Sequence, residues 1–335
     1  MSKVHRLAAA LALLASPAAS AAPAPATNPL WHQPKVRNYL PDMTWPEVQE
    51  LLTRSDVVII PVGALEQHGP HGPIGTDFYN GVEQAKLIAQ RTDALVAPIL
   101  TVGNSPYHMA FPGTITLSAE TIERVYFEAA QGLIRQGFRR FVFLNAHGGN
   151  AATTRFIVDR INQETAATAV DLDQATQPFL TDASIPPAIQ AEFENLPELK
   201  GFDHHAGVGE TSQSLYLLPG LVQMNRAPAA RPVKLPPHLA AMLPRVDTSD
   251  RTATLLFLSE ALKAESTGKH TSTREMTETG VWSELDPKLA TTMRGKAQTD
   301  AYVDAAVRFI DQWKKEVPVH RPADRATEAD PGLTK

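Results

Sequence analysis

The run Asp56-Val57-Val58-Ile59-Ile60-Pro61-Val62-Gly63 leads within three residues into Glu66-Gln67-His68-Gly69-Pro70-His71. A short, β-branched apolar run with no polar alternation suits a strand buried on both faces, as in a parallel sheet covered by helices. Gly69, Pro70, Gly72, Pro73 and Gly75 then exclude a helix and turn the chain back as a polar loop. The same succession recurs, with Phe141-Val142-Phe143-Leu144 running into Asn145-Ala146-His147-Gly148-Gly149-Asn150. Ala94 to Leu100 reads as a third buried strand. From Ser118 as N-cap, Ile122, Val125, Ala129 and Leu133 recur at helical spacing until Gly137 stops them. Ala151 to Ile161 reads as a second helix, and Val303, Ala306, Phe309, Ile310 and Trp313 mark one face of a long C-terminal helix. Strands alternating with helices predict an α/β fold: a single domain whose mostly parallel sheet is flanked by helices.

The rest of the composition narrows the function. With 335 residues, 43% of them hydrophobic and 20% charged, the chain is globular and long enough to bury a sizeable core. It has no cysteine, which removes thiolate metal sites, cysteine nucleophiles and redox pairs. A net charge of -5 without a basic stretch argues against nucleic acid or an anionic membrane as partner. Pro186-Pro187 and the proline-rich stretch from Arg226 to Arg245 read as surface excursions with no second core.

The first residues read as an address. Lys3, His5 and Arg6 precede the apolar run Leu7 to Ala15, and Ala19-Ser20-Ala21 supplies a small-residue cleavage site. These are the three parts of a secretory signal. The apolar run is too short to span a bilayer, which takes about 20 residues. The expected organisation is a signal peptide over 1–21, a linker over 22–30, one domain over 31–318 and a flexible tail over 319–335. The mature protein is then secreted or periplasmic and free of the membrane.

Five of the 11 histidines fall in three short segments. In open α/β sheets ligands sit beyond the carboxyl ends of the strands, so these segments can converge there. In the first, Glu66 and His68 are two apart and point to one side of an extended chain. The loop then turns back, so that Asp77 can approach the same point. A Glu, a His and an Asp form a mixed N/O site for a divalent ion; the alternative is a polar turn whose side chains cap neighbouring elements. In the second, His147 is the ligand candidate, and Asn145 and Asn150 hold the turn. The third is Asp203-His204-His205-Ala206-Gly207-Val208-Gly209-Glu210, where Glu210 is either a capping carboxylate of the next helix or a ligand. His205 is the candidate proton carrier, His71 a supporting or substrate contact, and His204 a surface residue.

Glu66, His68, Asp77, His147 and Glu210 make five candidate ligands. A catalytic zinc normally takes three protein ligands. Five suits two divalent ions that share a carboxylate, an arrangement that activates water and polarises a carbonyl or phosphoryl oxygen. No G-x-S-x-G elbow, H-E-x-x-H helix, G-x-G-x-x-G or Walker pattern offers a competing chemistry.

These motifs in order resemble the creatininase (creatinine amidohydrolase) family. So do Ser105-Pro106-Tyr107-His108 with Phe111-Pro112-Gly113-Thr114, and Gly280-Val281-Trp282 with Ala290-Thr291 and Gly295-Lys296. The resemblance implies a three-layer α/β fold, a binuclear centre of Zn, Mn or Fe, hydrolysis of C–N bonds in small or cyclic amides, and a homo-oligomer, commonly a hexamer. It also implies that Glu66, Asp77 and His147 hold one ion, that His68 and Asp77 hold the other, and that His205 relays protons to the leaving nitrogen. Two departures stand out. The family's carboxylate two residues after the histidine of the second segment is here Gly149, for which Glu210 is the candidate replacement. The tryptophans that cover creatinine in the family have no counterpart before or at the third segment, so the pocket is not expected to be built for creatinine. The family's Gly-Gly branches include formamide hydrolases and a peptide-trimming enzyme. Other readings of the same residues are a hydrolase of a lactone, formamide or small peptide, or a periplasmic metal- or ligand-binding protein without turnover.

Overall fold

The computed structural model describes residues 26–180, 184, 186–187, 190–191, 196–199, 201–246, 250–261 and 273–317. The expected signal peptide, the first residues of the linker and the tail lie outside them. In chain order the principal elements are α1 (Trp45–Leu52), β1 (Val57–Val62), α2 (Thr76–Thr92), β2 (Leu95–Val96), α3 (Ala119–Gln136), β3 (Arg140–Asn145), α4 (Ala151–Glu164), β4 (Thr168–Asp171) and α5 (Leu172–Thr176). There follow β5 (Asp203–His205), α6 (Val208–Leu217), α7 (Pro237–Ala240), α8 (Arg251–Ala261), α9 (Thr273–Met276), β6 (Trp282–Ser283) and α10 (Thr292–Glu316).

Strand β1 is buried along its whole length and lies inside a parallel sheet of order β2-β1-β3-β4. Its side chains divide between two cores, as the period of two in a strand requires. Val58, Ile60 and Val62 join Phe141 and Phe143 of β3 under α1, α3 and α4. Val57 and Ile59 join Val142 and Leu144 under α2, α5 and α10. The α/β fold with a parallel sheet between helical layers is thus the observed one.

The details differ where local chemistry intervenes. The strand expected over Ala94 to Leu100 is only Leu95–Val96, because Pro98 has no N–H for the ladder and the chain peels away. Val125, expected on the inner face of α3, is 37% exposed, and Tyr126 and Phe127 occupy the core instead. Strand β4 is too short and too polar to announce itself. A satellite core also exists where none was expected: Phe202, Leu239, Val246, Phe257, Met276 and Trp282 pack together under the proline-rich excursion. The packed body also reaches back before Trp31. Asn28 is buried, its side chain donating to Glu83 Oε2 (2.8 Å) and accepting from Leu30 N–H (3.0 Å), while its backbone N–H bonds Tyr216 O at 2.9 Å.

Register positions the site. Val62 of β1 pairs with Asn145 of β3 at the carboxyl end of both strands, and Ala146 N–H donates to Val62 O at 2.8 Å. The loops that follow therefore leave the sheet side by side, about 4.8 Å apart. At the opposite end Asp56 accepts from Arg140 Nε at 2.8 Å, both side chains being buried. Replacing Asp56 by Ala would leave that guanidinium buried without its counter-ion, with the Val317 carbonyl (3.0 Å) as its remaining partner. The expected loss is about 3–5 kcal/mol of folding stability, read from the urea unfolding midpoint, with metal content of the folded protein unchanged.

Candidate metal centre

The loop after β1 carries Glu66 and His68. Its return is close: Gly72 N–H bonds His68 O at 3.0 Å, and a Cβ at Gly72 would stand 2.6 Å from the His68 Cβ, so only glycine fits. That hairpin delivers the chain to α2, whose first turn holds Asp77. The loop after β3 holds His147. On the third side His205 ends β5, and Glu210 lies in the first turn of α6. Asp203 secures that helix by accepting from Val208 N–H (3.1 Å) and Gly209 N–H (2.8 Å). Ala206 adopts a left-handed φ of 53°, a costly conformation for a residue with a Cβ, and its N–H donates to Glu210 Oε2 at 2.6 Å.

All six predicted residues meet in one place. His68 Nε2 stands 3.1 Å from Asp77 Oδ1 and 3.3 Å from Glu210 Oε1. His147 Nδ1 stands 3.1 Å from Asp77 Oδ2 and 3.4 Å from Glu66 Oε1. Asp77 thus turns one oxygen to each histidine. His205 Nδ1 lies 3.6 Å from Glu66 Oε1 and 3.9 Å from Glu210 Oε2. Three sets, Glu66 with Asp77 and His147, His68 with His205 and Glu210, and Glu66 with His108 and His205, each hold donor atoms close enough to share an ion. Glu66 Oε2 and Asp77 Oδ2 are buried without a well-directed hydrogen bond. The site opens into a cavity of about 110 Å³ whose walls include Tyr107, Gly148, Gly149, His204 and Trp282.

Electrostatics follow from this crowding. Burial alone would drive the His68 and His147 protons off. The carboxylates beside them, Glu210 and Asp77 for His68 and chiefly Glu66 for His147, overcome it and raise both well above 6.5. Burial likewise opposes ionisation of Glu210, yet the neighbouring His68 charge holds it down at about 2, and Asp77 is lowered for the same reason. His108 moves the other way, well below its ordinary value, through burial and then the charges of His205 and His68.

The supporting residues were the harder ones to foresee. His71 is buried, held down to about 4 by burial and the His68 charge, and its Nε2 lies 2.9 Å from Thr211 Oγ1, beside Glu210 but off the cavity wall. His204 is exposed, as expected, but it forms part of the cavity wall, stacked on Phe202 and edge-on to Trp282. His108 was not singled out, yet its Nε2 is 3.5 Å from Glu66 Oε1, its ring stacks on His205, and Thr273 Oγ1 holds its Nδ1 at 2.7 Å. Its signal was its place in Ser105-Pro106-Tyr107-His108, just before Phe111-Pro112-Gly113. Gly149 leaves no room for a side chain: a Cβ there would collide with Tyr107 OH and Asn104 O. Trp282, from the C-terminal block, brings a tryptophan to the cavity from a direction the sequence did not suggest.

Comparison with known proteins places this geometry. A family model described as creatininase, creatinine amidohydrolase, matches residues 41–310. Creatinine amidohydrolase of Pseudomonas putida is 32% identical over 212 residues, 60% of this chain and 79% of that one. Mycofactocin precursor peptide peptidase of Mycobacterium tuberculosis is 28% identical over 274 residues, 79% of this chain and 88% of that one. Among solved structures, a creatininase point mutant of Zn–Zn type superposes with a TM-score of 0.61 at 24% identity, covering 84% of this chain and 98% of that one.

The protonation pattern has a measurable consequence for protein stripped of metal by a chelator. His68 and His147 are raised on folding, so their contribution is complete below about 6.5 and is lost as pH climbs through their folded values. Glu210 is lowered, so its contribution is complete above 4.5 and is lost as pH falls toward about 2. The melting temperature of the stripped protein should therefore peak between these limits and decline on the alkaline side. Added zinc, taking the place of the protons, should flatten that decline.

Proposed function

The chain belongs to the creatininase family of metal-dependent hydrolases, and from that premise we propose that it hydrolyses the C–N bond of a small amide, cyclic or open, at a centre of two divalent cations. The observation that carries this reading is Asp77, whose two oxygens face separate histidine–carboxylate groups. The donor set fits cations of the zinc, manganese or iron type, being mixed imidazole and carboxylate with buried oxygens left unsatisfied. Glu66, Asp77 and His147 would hold one ion, and His68, Asp77 and Glu210 the other. Glu210 takes the part that a side chain at 149 has no room to play. When bound, two such ions lower the pKa of a water molecule and polarise the amide carbonyl.

The protein's own part in proton transfer falls to His205. Its Nε2 lies 2.7 Å from the Gln67 carbonyl oxygen, which can only accept, and 3.0 Å from the Gln67 side-chain nitrogen, whose hydrogens can go instead to Gly280 O and His108 Nδ1; in the tautomer that the shorter contact favours, the ring keeps its proton at Nε2. Nδ1 is then the basic atom, and it faces Glu66 and Glu210. In that tautomer His205 takes a proton at Nδ1 and returns it to the departing nitrogen, as general base and then acid. The similarity to the mycofactocin precursor peptide peptidase, which extends over 79% of the chain, favours a short peptide as the second substrate class. We further propose export to the periplasm through the signal over residues 1–21, and assembly as a homo-oligomer, a hexamer by family likeness.

Cyclic amides, formamides, lactones and dipeptides, each offered with Zn, Mn or Fe, test the reading. Turnover should fall among the amides, and elemental analysis should find about two ions per chain; metal uptake with no turnover on any of them defeats it. His205→Ala should lower the rate by about 10²–10⁴-fold at unchanged metal content. Glu210→Ala should instead bring the metal content down toward about one ion per chain.

A further inference from the structure

Tyr107 stands in the wall of the same cavity, and its hydroxyl has a proton with nowhere in the protein to go. The ring is only 7% exposed. It is fixed by stacking near His147 (30° between planes), by edge contact with His108, and by Thr273 Oγ1 donating to the Tyr107 carbonyl at 3.1 Å. The phenol oxygen lies 3.2 Å from His147 Nε2. That nitrogen is itself 2.9 Å from the Asn104 carbonyl oxygen, which accepts only, so Nε2 carries a hydrogen and cannot receive one. Tyr107 can thus accept from His147 but not donate to it, and among the described residues its hydroxyl has no other partner. Ser105 Oγ, also 3.2 Å from Nε2, is fully buried and off the cavity wall. The phenol oxygen also fills the volume into which a side chain at 149 would project.

We propose that the Tyr107 hydroxyl donates a hydrogen bond to the bound substrate, a neutral specificity contact standing where a side chain at 149 would otherwise enter the site. The acceptor it selects is a carbonyl, amide or hydroxyl oxygen close to the scissile bond, since Tyr107, Gly149 and His147 line one wall. This inference rests on the hydrolase reading for the identity of the site as a substrate pocket.

The test uses the zinc-loaded protein and acetohydroxamate, a small metal-binding amide analogue, as probe. Tyr107→Phe keeps the ring and removes only the donor. Its affinity for acetohydroxamate by calorimetry should fall about 10–100-fold, the loss expected for a hydrogen bond to a charged or strongly polarised group. Zinc affinity, measured separately by chelator competition, should not change. Equal hydroxamate affinity in both proteins overturns the proposal. So does a loss of zinc affinity large enough to explain the difference, because Tyr107 would then act only by orienting His147. A second readout needs no substitution to be tolerated. In protein labelled with 3-fluorotyrosine, one of the six tyrosine fluorine signals should move when acetohydroxamate binds, the one missing from Tyr107→Phe or, failing that variant, lost from Tyr107→Leu. No shift at that signal also overturns it. If the hydroxamate effects appear but no amide is hydrolysed, the hydrolase reading fails while the Tyr107 contact stands.

Discussion

Glu66, Asp77 and Glu210 bring three carboxylates to one side of a sheet end, and among the described residues no lysine or arginine is paired with any of them. Removing such charges from water costs several kcal/mol apiece unless positive charge is close at hand. Here it comes from imidazoles, which are short enough to enter the crowd and can either carry a proton or offer a lone pair to a cation. That double capacity makes histidine, rather than lysine, the natural companion of a carboxylate cluster meant to exchange protons for metal. The gathering of His68, His108, His147 and His205 within a few ångströms of these acids is the direct result.

The fold serves this cluster by separating rigidity from chemistry. The sheet is held by two apolar faces and, at its amino end, by the buried Asp56–Arg140 pair. The pairing of Val62 with Asn145 sets two of the three loops, and α6, capped by Asp203, brings the third. The satellite core around Phe257 and Trp282 backs the cavity wall, so the proline-rich excursion that looked like surface decoration supports the mouth of the site.

Much of this was legible because it was written in local patterns. Uninterrupted β-branched runs announced β1 and β3, and the glycine and proline behind them announced loops. The candidate ligands stood out because three segments combined histidine with acids or amides directly after strands or before a helix. What escaped stood inside recognisable motifs, but nothing local said that it would reach the site. His108 and Tyr107 reach the site through a 3₁₀ turn held from afar by Thr273. Trp282 arrives through β5–β6 pairing, more than 75 residues from its partner strand in sequence. Val125 was misplaced because a helical stripe drawn at i+3 and one drawn at i+4 diverge by a full residue within one turn, and only the packed neighbours choose between them.

The contact between His147 and residue 104 is made with a backbone carbonyl. That part of the imidazole's orientation is therefore written into the path of the chain after β2, beside the side chains of Ser105 and Tyr107, whose oxygens each lie 3.2 Å from the same nitrogen. The Asn104 side chain acts on the ring only indirectly, its Nδ2 donating to Leu117 O at 2.7 Å and so fixing that path. An insertion or deletion between Val96 and Asn104 is not tolerated, because it slides the carbonyl out of reach. The segment is accordingly strict in length and, at Gly103, where φ is 81° and a Cβ would stand 2.6 Å from Gly63 O, strict in residue type as well.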